Sequence, residues 1–380
     1  MSEWKKVKFL DVISLNPRIS LEKGMEYPFV EMSNAVPGAR RPEKDVYQKY
    51  SGGGAKFEEG DTVVARIEPC LQNGKGFQCS YKKGFGSTEF LVFRPMNIKE
   101  MDHNFLYYYM GQQSIREAMA KTMVGASGRQ RVNNAVFNDL QINLPPLNIQ
   151  LDIATILSRY DSLIENYQKQ IKLLEEAAQR LYKEWFVDLH FPGHETTKIV
   201  DGVPEGWEKK KLVEIAELKA GGDKPEIVSG IRTNDCSVPI FSNGTTNEGL
   251  YGYTNLPVIV EQSVTISARG SVGFTVLRRT PFVPIVRLIS VTPHNVYVGY
   301  IFYYLKSTTL DSNGAAQQQI TIPMIINKEI TIPSKCILEL FESKTEPIFN
   351  QIDIFKEQIR LLTEARDRLL PKLMSGEIAV

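Results

Sequence analysis

The sequence contains a long internal repeat, and this repeat constrains the fold more than any other feature. Trp4-Lys5-Lys6 recurs as Trp207-Glu208-Lys209, at an offset of 203 residues. Further along, Leu144-Pro145 recurs as Ile332-Pro333 at an offset of 188, and the helical stretch that follows keeps this offset. In that stretch Gln170, Ile171, Leu173, Leu174, Glu176, Ala177, Arg180 and Leu181 are identical to Gln358, Ile359, Leu361, Leu362, Glu364, Ala365, Arg368 and Leu369. The repeat predicts two copies of one unit, each a globular block followed by a helix.

The repeat divides the 380 residues into a first globular block (1–150), a central helical spacer and linker (151–200), a second globular block (201–335) and a C-terminal helical spacer (336–380). Both globular blocks alternate short β-rich runs with loops of Gly, Asn and Ser, and each contains a helix-like segment. The strand-like runs are Asp61 to Ile67, Glu89 to Arg94, Val258 to Ala268 and Val283 to Val291, and the helical segments are Phe105 to Lys121 and Tyr300 to Leu310. The predicted fold class of each block is therefore α+β.

Each spacer carries a continuous heptad seam, which is typical of a coiled coil. The first seam is Ile153, Leu157, Tyr160, Ile164, Tyr167, Ile171, Leu174, Ala178, Leu181 and Trp185, and the second is Phe341, Thr345, Ile348, Ile352, Phe355, Ile359, Leu362, Arg366, Leu369 and Leu373. Because Pro347 breaks a helix interior, we expect the regular part of the second helix to begin around it. Each seam needs an apolar partner, and the other seam of the same chain is the nearest. We therefore predict an intramolecular antiparallel coiled coil with pseudo-twofold symmetry; an ordinary helical hairpin is the alternative.

Composition excludes several classes of protein. The net charge is +1, with the positive excess in the two globular blocks. No apolar run approaches the ~20 residues of a membrane helix, and Met1 to Asp11 lacks the apolar core of a signal peptide, so a cytoplasmic protein without a membrane contact is expected. The four cysteines, Cys70, Cys79, Cys236 and Cys336, form no close pair, which favours reduced thiols and no metal site.

Catalytic motifs are missing from the sequence. It has no GxxxxGK[ST] phosphate loop, no GxSxG and no HExxH, and no cofactor loop is paired with an Asn/Asp-Pro-Pro-Tyr motif. Its four histidines leave few candidates for general acid–base chemistry. We therefore predict no catalytic residue and no cofactor in this chain.

Two basic pairs suit contact with a DNA backbone. Arg40-Arg41 follow Pro37-Gly38, and Lys82-Lys83 precede Gly84, so both pairs are expected in exposed loops from which they can reach phosphates. The alternative for either pair is ordinary solvated surface charge.

Two further clusters suit contact with bases, because arginine pairs with guanine edges and glutamine or asparagine with adenine edges. One is the glycine-containing loop with Arg129, Gln130 and Arg131, together with its repeat counterpart Gln317, Gln318 and Gln319. The other contains Asn243 and Arg269 in the second block. The alternatives are a plain linker loop for the first cluster and a turn for the second, because Asn-Gly is also a turn signal.

With these features the sequence resembles the S subunit of type I restriction–modification systems over essentially its whole length. The strings that carry the resemblance are GSTEF (Gly86 to Phe90), INLPPLNIQ (Ile142 to Gln150), LYKEWFVDLHFPG (Leu181 to Gly193), SARGSVG (Ser267 to Gly273) and LLPKLMSGEI (Leu369 to Ile378). The second block departs from the pattern, because Pro281-Phe282-Val283 stands where the first has Ser87-Thr88-Glu89-Phe90.

The resemblance implies that each globular block is a target-recognition domain for one half of a bipartite site on double-stranded DNA. The helices would set the gap between the half-sites and dock two methyltransferase subunits. Those subunits would bind S-adenosylmethionine, and motor–nuclease subunits would join for restriction. Two alternatives from other classes are a self-contained DNA methyltransferase or nuclease and a coiled-coil scaffold without sequence-specific DNA binding.

Overall fold

A computed structural model describes residues 4–308 and 319–380 of the chain, which form two compact units. Unit 1 comprises Met1–Lys169 and Phe355–Val380, and unit 2 comprises Gln170–Ile354. Each unit therefore holds one globular block and a segment of each of two long helices.

The elements of the first block precede the first long helix. Its strands are β1 (Lys5–Lys8), β2 (Ile13–Leu15), β3 (Glu26–Val30), β4 (Tyr47–Lys49), β5 (Ala55–Glu58), β6 (Thr62–Ala65), β7 (Gly76–Gln78), β8 (Lys83–Gly86), β9 (Phe90–Pro95) and β10 (Gln141–Leu144). Its helices are α1 (Phe9–Val12), α2 (His103–Met110), α3 (Gln113–Ala120) and α4 (Val136–Asp139). The first long helix, α5 (Leu147–Tyr182), continues into a π-helical turn, Lys183–Val187.

The elements of the second block lie between the two long helices. Its strands are β11 (Ile199–Val200), β12 (Val203–Pro204), β13 (Glu208–Lys211), β14 (Ala216–Ala220), β15 (Val238–Phe241), β16 (Leu250–Thr254), β17 (Ser263–Ile266), β18 (Thr275–Arg278), β19 (Val283–Pro284), β20 (Ile289–Pro293) and β21 (Glu329–Ile332). Its helices are α6 (Leu212–Ile215), α7 (Val298–Ser307) and α8 (Ile322–Ile325), with 3-10 turns at His194–Thr196 and Thr246–Gly249. The second long helix is α9 (Lys335–Ser375).

The two blocks share the strand order of one sheet and differ by one strand in the other. The first contains an antiparallel sheet of order β2-β9-β6-β7, and the second contains one of order β14-β20-β17-β18. A second sheet has the order β4-β3-β8-β5 in the first block and β16-β15-β19 in the second, with β3 parallel to β8 and β15 parallel to β19. The predicted α+β class and the predicted duplication are confirmed.

In each block, the first strand pairs with the strand that directly precedes the long helix. Lys5 pairs with Leu144 across β1 and β10, and Glu208 pairs with Ile332 across β13 and β21. The sequence offsets of 203 and 188 convert the first pair into the second. The repeat found in the sequence therefore has the same backbone pairing in both copies.

The predicted helix from Phe105 to Lys121 is wrong, because the structure breaks it into α2 and α3. Asp102 caps the start of α2 by accepting hydrogen bonds of 2.9 Å from the backbone N–H groups of Asn104 and Phe105. At the other end Gly111 lowers the helix propensity, and Gln112 adopts an extended conformation before α3 begins.

The second long helix begins twelve residues before Pro347, at Lys335, so the expectation that its regular part begins around the proline is wrong. Pro347 lies on the solvent-exposed side of α9. On that side water can satisfy the backbone carbonyl that loses its partner, which lowers the cost of a proline inside a helix.

The two long helices lie against each other within each unit, and in unit 1 they run antiparallel. There Asp161 contacts Arg366 and the ring of Tyr167 stacks on that of Phe355, with 4.9 Å between ring centroids. In unit 2, Tyr182 and Trp185 of the first long-helix segment contact the ring of Phe341. None of the seam residues predicted from the heptads is exposed.

Each block builds its core on the inner face of its antiparallel sheet. In unit 1 the fully buried rings of Phe9, Phe93 and Phe137 contact one another at centroid distances of 5.2 to 5.9 Å. In unit 2 the buried Tyr303 stacks on Tyr182 and Phe349. Among the described helices, none combines the length and the apolar character that a membrane crossing requires.

Candidate nucleic-acid interface

The loop that carries Arg129 projects from the first block as a closed, exposed turn. Paired backbone hydrogen bonds of 2.9 Å between Val124 and Arg131 close it, and Gly125 and Gly128 adopt positive φ angles inside it. Arg129 is exposed and its guanidinium has no partner among the described residues. Gln130 is half-buried, and its backbone carbonyl accepts a 3.0 Å hydrogen bond from Glu68. Arg129 is therefore the cation of this loop that is exposed without a partner in the described part of the chain.

Arg131 is paired with a carboxylate at the surface of the block. Its guanidinium donates hydrogen bonds of 2.7 to 3.0 Å to both carboxylate oxygens of Glu89. This hydrogen bonding and the negative charge of Glu89 raise the pKa of Arg131. The bidentate contact leaves Arg131 less available than Arg129 for a phosphate or a base.

The two arginines of the first basic pair have different surroundings. Arg40 donates a 2.8 Å hydrogen bond to Gln78, donates a second bond to Asn104 and lies 5.9 Å from the ring centroid of Tyr107. Arg41 is 60% exposed, and 3.6 Å separates its Nε from the carboxylate of Glu165. Arg40 therefore stabilises the block from within, whereas Arg41 presents its charge at the surface.

The second basic pair lies at the start of β8 and is exposed. Lys83 donates a long hydrogen bond of 3.4 Å to the backbone carbonyl of Ser20, and the Lys82 ammonium has no partner in the described part of the chain. Both ammonium groups therefore present their charge at the surface of the block.

Asn243 bridges two loops of the second block through its side-chain amide. Its Nδ2 donates a 2.6 Å hydrogen bond to the carbonyl of Val286, and its Oδ1 accepts a 2.7 Å bond from the N–H of Ala268. Arg269 follows directly, is exposed, and donates a 3.3 Å hydrogen bond to Gln319. Gln317 and Gln318, the other predicted residues of this loop, lie outside the described residues.

Sequence reasoning missed Arg287. The stretch from Val283 to Val291 was expected as one strand run, but the structure divides it into β19 and β20. Between them Val286 and Arg287 have φ angles of 54° and 62°, both left-handed, and Arg287 is exposed. A β-branched residue in this region is a backbone outlier, which local propensities cannot anticipate.

Strand pairing also corrects the alignment of the two blocks around this turn. The N–H of Ser87 donates to Val30 beside β8, and the N–H of Ile285 donates to Phe241 in the same way beside β19. This equivalence aligns Glu89 with Arg287, because each lies two residues after the donating N–H. The expectation that Pro281-Phe282-Val283 replaces Ser87-Thr88-Glu89-Phe90 is therefore wrong, because an alignment by residue type missed the shared backbone position.

No cluster of three or more His, Cys, Asp or Glu side chains that could hold a metal ion occurs among residues 4–308 and 319–380. Arg278 is buried against the ring of Phe241, with 3.5 Å between its guanidinium carbon and the ring centroid, and burial lowers its pKa to about 10. This cation supports the sheet and is not exposed to a ligand. Arg129, Arg269 and Arg287 are exposed cations on loops, and cationic side chains are among the groups that contact nucleic acid.

Comparison with known proteins gives a consistent family. Residues 1–176 and 204–364 match the family described as "Type I restriction modification DNA specificity domain". The chain is similar to the type I restriction enzyme MjaIX specificity subunit of Methanocaldococcus jannaschii, with 29% identity over 73% of this chain and 69% of that protein. It is also similar to the type I restriction enzyme HindI specificity subunit of Haemophilus influenzae, with 25% identity over the whole of both chains.

A solved structure has a similar fold. The type I restriction–modification system S subunit from M. genitalium superposes with a TM-score of 0.57, over 98% of this chain and 96% of that one. The two sequences are 19% identical. This likeness therefore concerns the fold alone.

Proposed function

Because the chain belongs to the type I restriction–modification DNA specificity family, we propose that it recognises a bipartite target on double-stranded DNA. Each globular block recognises one half of the target, and the long helices set the gap between the halves. The observation that carries this proposal is the duplication of one α+β block with different exposed side chains on the two copies. Arg129 is exposed in the first block, and Arg269 and Arg287 are exposed in the second.

The proposed partners in the complex are two methyltransferase subunits and motor–nuclease subunits, acting in the cytoplasm. Leu173 is 64% exposed and Leu361 is 44% exposed, and they occupy the same repeat position. The repeat therefore offers two equivalent helix surfaces, one for each methyltransferase subunit in this proposal. In this proposal the chain itself is non-catalytic and binds no cofactor, and S-adenosylmethionine binds to the methyltransferase subunits.

A block exchange tests the proposal. Residues 1–150 are replaced by the first block of another family member, and the methylated motif is determined across the genome of a host that carries the complete system. We expect one half of the motif to change while the other half and the gap remain. The control is the same host with the parental chain.

Three results would contradict the proposal in different ways. A change in both halves would show that the blocks do not recognise DNA independently. Methylation that depends on the chain but follows no sequence motif would favour the scaffold alternative. Methyl transfer by the purified chain alone would identify a self-contained methyltransferase.

A further inference from the structure

The second block presents two exposed arginines, Arg269 and Arg287, on loops that one asparagine joins. We propose, on the basis of the function above, that these two guanidiniums recognise guanines in the second half-site. In this proposal Asn243 is their positioning residue rather than a base reader. The ligand is the guanine edge in the major groove, where O6 and N7 accept the paired N–H groups of arginine.

The Asn243 amide fixes the residue directly before each arginine. Its Nδ2 holds the carbonyl of Val286 at 2.6 Å, and its Oδ1 holds the N–H of Ala268 at 2.7 Å. Both polar atoms of the amide are therefore engaged within the block. A bidentate contact with adenine needs an amide whose oxygen and nitrogen both face the base, so Asn243 is suited to positioning.

The backbone at Arg287 is fixed by its neighbours. The N–H groups of Val286 and Arg287 donate to the carbonyls of Gly222 and Gly221 at 2.8 and 2.9 Å. A Cβ atom at Gly221 would lie 2.7 Å from the backbone of Pro284, so a glycine is needed for this close approach. Left-handed backbone at two consecutive non-glycine residues persists only where surrounding contacts hold it, and such sites cluster at functional positions.

A fixed backbone favours base recognition over phosphate contact. Recognition of a base edge needs a guanidinium with a defined position and direction, whereas a phosphate can be reached by a mobile side chain from many directions. The Arg287 guanidinium has no partner among the described residues, and Arg269 has only the 3.3 Å bond to Gln319. Within the described part of the chain, neither guanidinium is held in an ion pair that would compete with DNA.

The first block has different chemistry at the same fold positions. There Glu89 occupies the position of Arg287, and Arg131 occupies that of Gln319, which is 188 residues further along. Glu89 and Arg131 neutralise each other in a bidentate ion pair. These two fold positions thus carry an ion pair in the first block, and an arginine with a glutamine in the second. Such a difference is expected of blocks that recognise different sequences.

The test uses the full-length chain and a library of DNA duplexes of random sequence. The parent is compared with Arg269→Ala, Arg287→Ala, Arg287→Lys and Asn243→Ala, and Lys209→Ala is the control that removes an exposed charge elsewhere in the block. We expect each alanine variant of an arginine to lose about 10-fold discrimination at one G·C position of the second half-site, with the first half unchanged. Arg287→Lys should not restore discrimination, because an ammonium lacks the paired donors of arginine.

Asn243→Ala should reduce discrimination at both positions, and its melting temperature shows whether the block stays folded. If this variant unfolds, the exposed arginine variants still decide the proposal. Equal weakening for all sequences with a reduced salt dependence would identify phosphate contacts and overturn the guanine assignment. Unchanged selection in both arginine variants would overturn it as well. A parental chain that selects no sequence in either half would overturn the proposed function itself, and this inference with it.

Discussion

The guanidinium of Arg366 donates a 2.6 Å hydrogen bond to the carboxylate of Asp161, and the two side chains are only 9% and 3% exposed. Tyr108 donates a second hydrogen bond to Asp161, and Arg366 donates a hydrogen bond of 2.8 Å to the backbone carbonyl of Gly38. Burial alone lowers the pKa of Arg366, but Asp161 and Asp367 raise it above its usual value. The pair thus joins the two long helices of unit 1 to their recognition block.

Unit 2 has apolar residues at the same repeat positions. An offset of 188 takes Asp161 to Phe349 and takes Ala178 to Arg366. Phe349 and Ala178 are buried in the core of unit 2. The string Leu106-Tyr107-Tyr108-Tyr109 aligns with Ile301-Phe302-Tyr303-Tyr304, and Tyr303, the counterpart of Tyr108, stacks on Phe349 at a centroid distance of 6.0 Å. One helix contact is therefore polar and the other aromatic, although both derive from one repeat.

Removing one member of the buried pair should destabilise the protein strongly. Arg366→Ala leaves the Asp161 carboxylate buried without its cation, and we expect a loss of about 3–5 kcal/mol in the free energy of unfolding, measured by chemical denaturation. The control is Arg368→Ala, because Arg368 is 78% exposed and its surface ion pair with Glu364 is worth about 1 kcal/mol or less.

The double variant Asp161→Phe, Arg366→Ala installs the residues that unit 2 has at these positions. Because it removes both buried charges, we expect it to be more stable than Arg366→Ala alone. Equal stability of Arg366→Ala and Arg368→Ala would contradict the structural role of the pair.

Arg129 and Arg131 should differ in their contribution to DNA binding. Arg129→Ala removes an exposed cation without a partner in the described residues, so we expect weaker binding to all sequences and a salt slope smaller by about one. Arg131→Ala removes a cation that Glu89 already neutralises, so its salt slope should change less. Binding titrations over a range of salt concentrations measure both. A larger effect from Arg131 would mean that the ion pair opens when DNA binds.

Cys79 and Cys336 should differ in reactivity. Burial raises the pKa of Cys79 to about 12, and nearby carboxylates contribute to the increase, whereas Cys336 is exposed. Because the thiolate is the nucleophile, iodoacetamide at pH 8 should alkylate Cys336 and leave Cys79 unmodified in the folded protein. Mass spectrometry of peptides identifies the alkylated thiols, and denatured protein is the control in which both react.

The same shift predicts the pH dependence of stability at Cys79. The pKa of this acidic group is higher in the folded state than the ordinary value of 9.0. Its contribution to stability is therefore fully present below pH 9 and decreases as the pH rises from 9 towards 12. A Cys79→Ala variant should lose less stability than the parent over this interval, and an identical pH profile in the two proteins would contradict the shift.

Lengthening both long helices should lengthen the gap in the DNA target. Four residues inserted after Lys169 and four after Ile354 add about one helical turn, or ~6 Å, to each helix. A coiled coil can absorb a four-residue insertion as a stutter, so the protein should remain folded. On DNA with ~3.4 Å per base pair we expect one or two additional base pairs between unchanged half-sites, detected by motif analysis of methylated DNA. An unchanged gap with full activity would exclude the helices as the spacer.

The sequence alone determined the duplication, the α+β class and the two heptad seams. These properties follow from periodicity and from repeated strings, which are local patterns visible in one dimension. Even the two polar seam positions, Thr345 and Arg366, are buried as the heptads require. The hydrophobic period specified which helix face would be covered, whatever the chemistry of the individual residue.

The tertiary structure decided which cations are available to a ligand and where the elements end. Arg40, Arg131 and Arg129 are equivalent in a sequence, but the first two are engaged by Gln78 and Glu89, residues 38 and 42 positions away. Arg287 was identified as a candidate only when strand pairing showed that it occupies the repeat position of Glu89. Hydrogen-bond partners distant in sequence and left-handed backbone held by tertiary contacts leave no local signature, so only the folded chain reveals them.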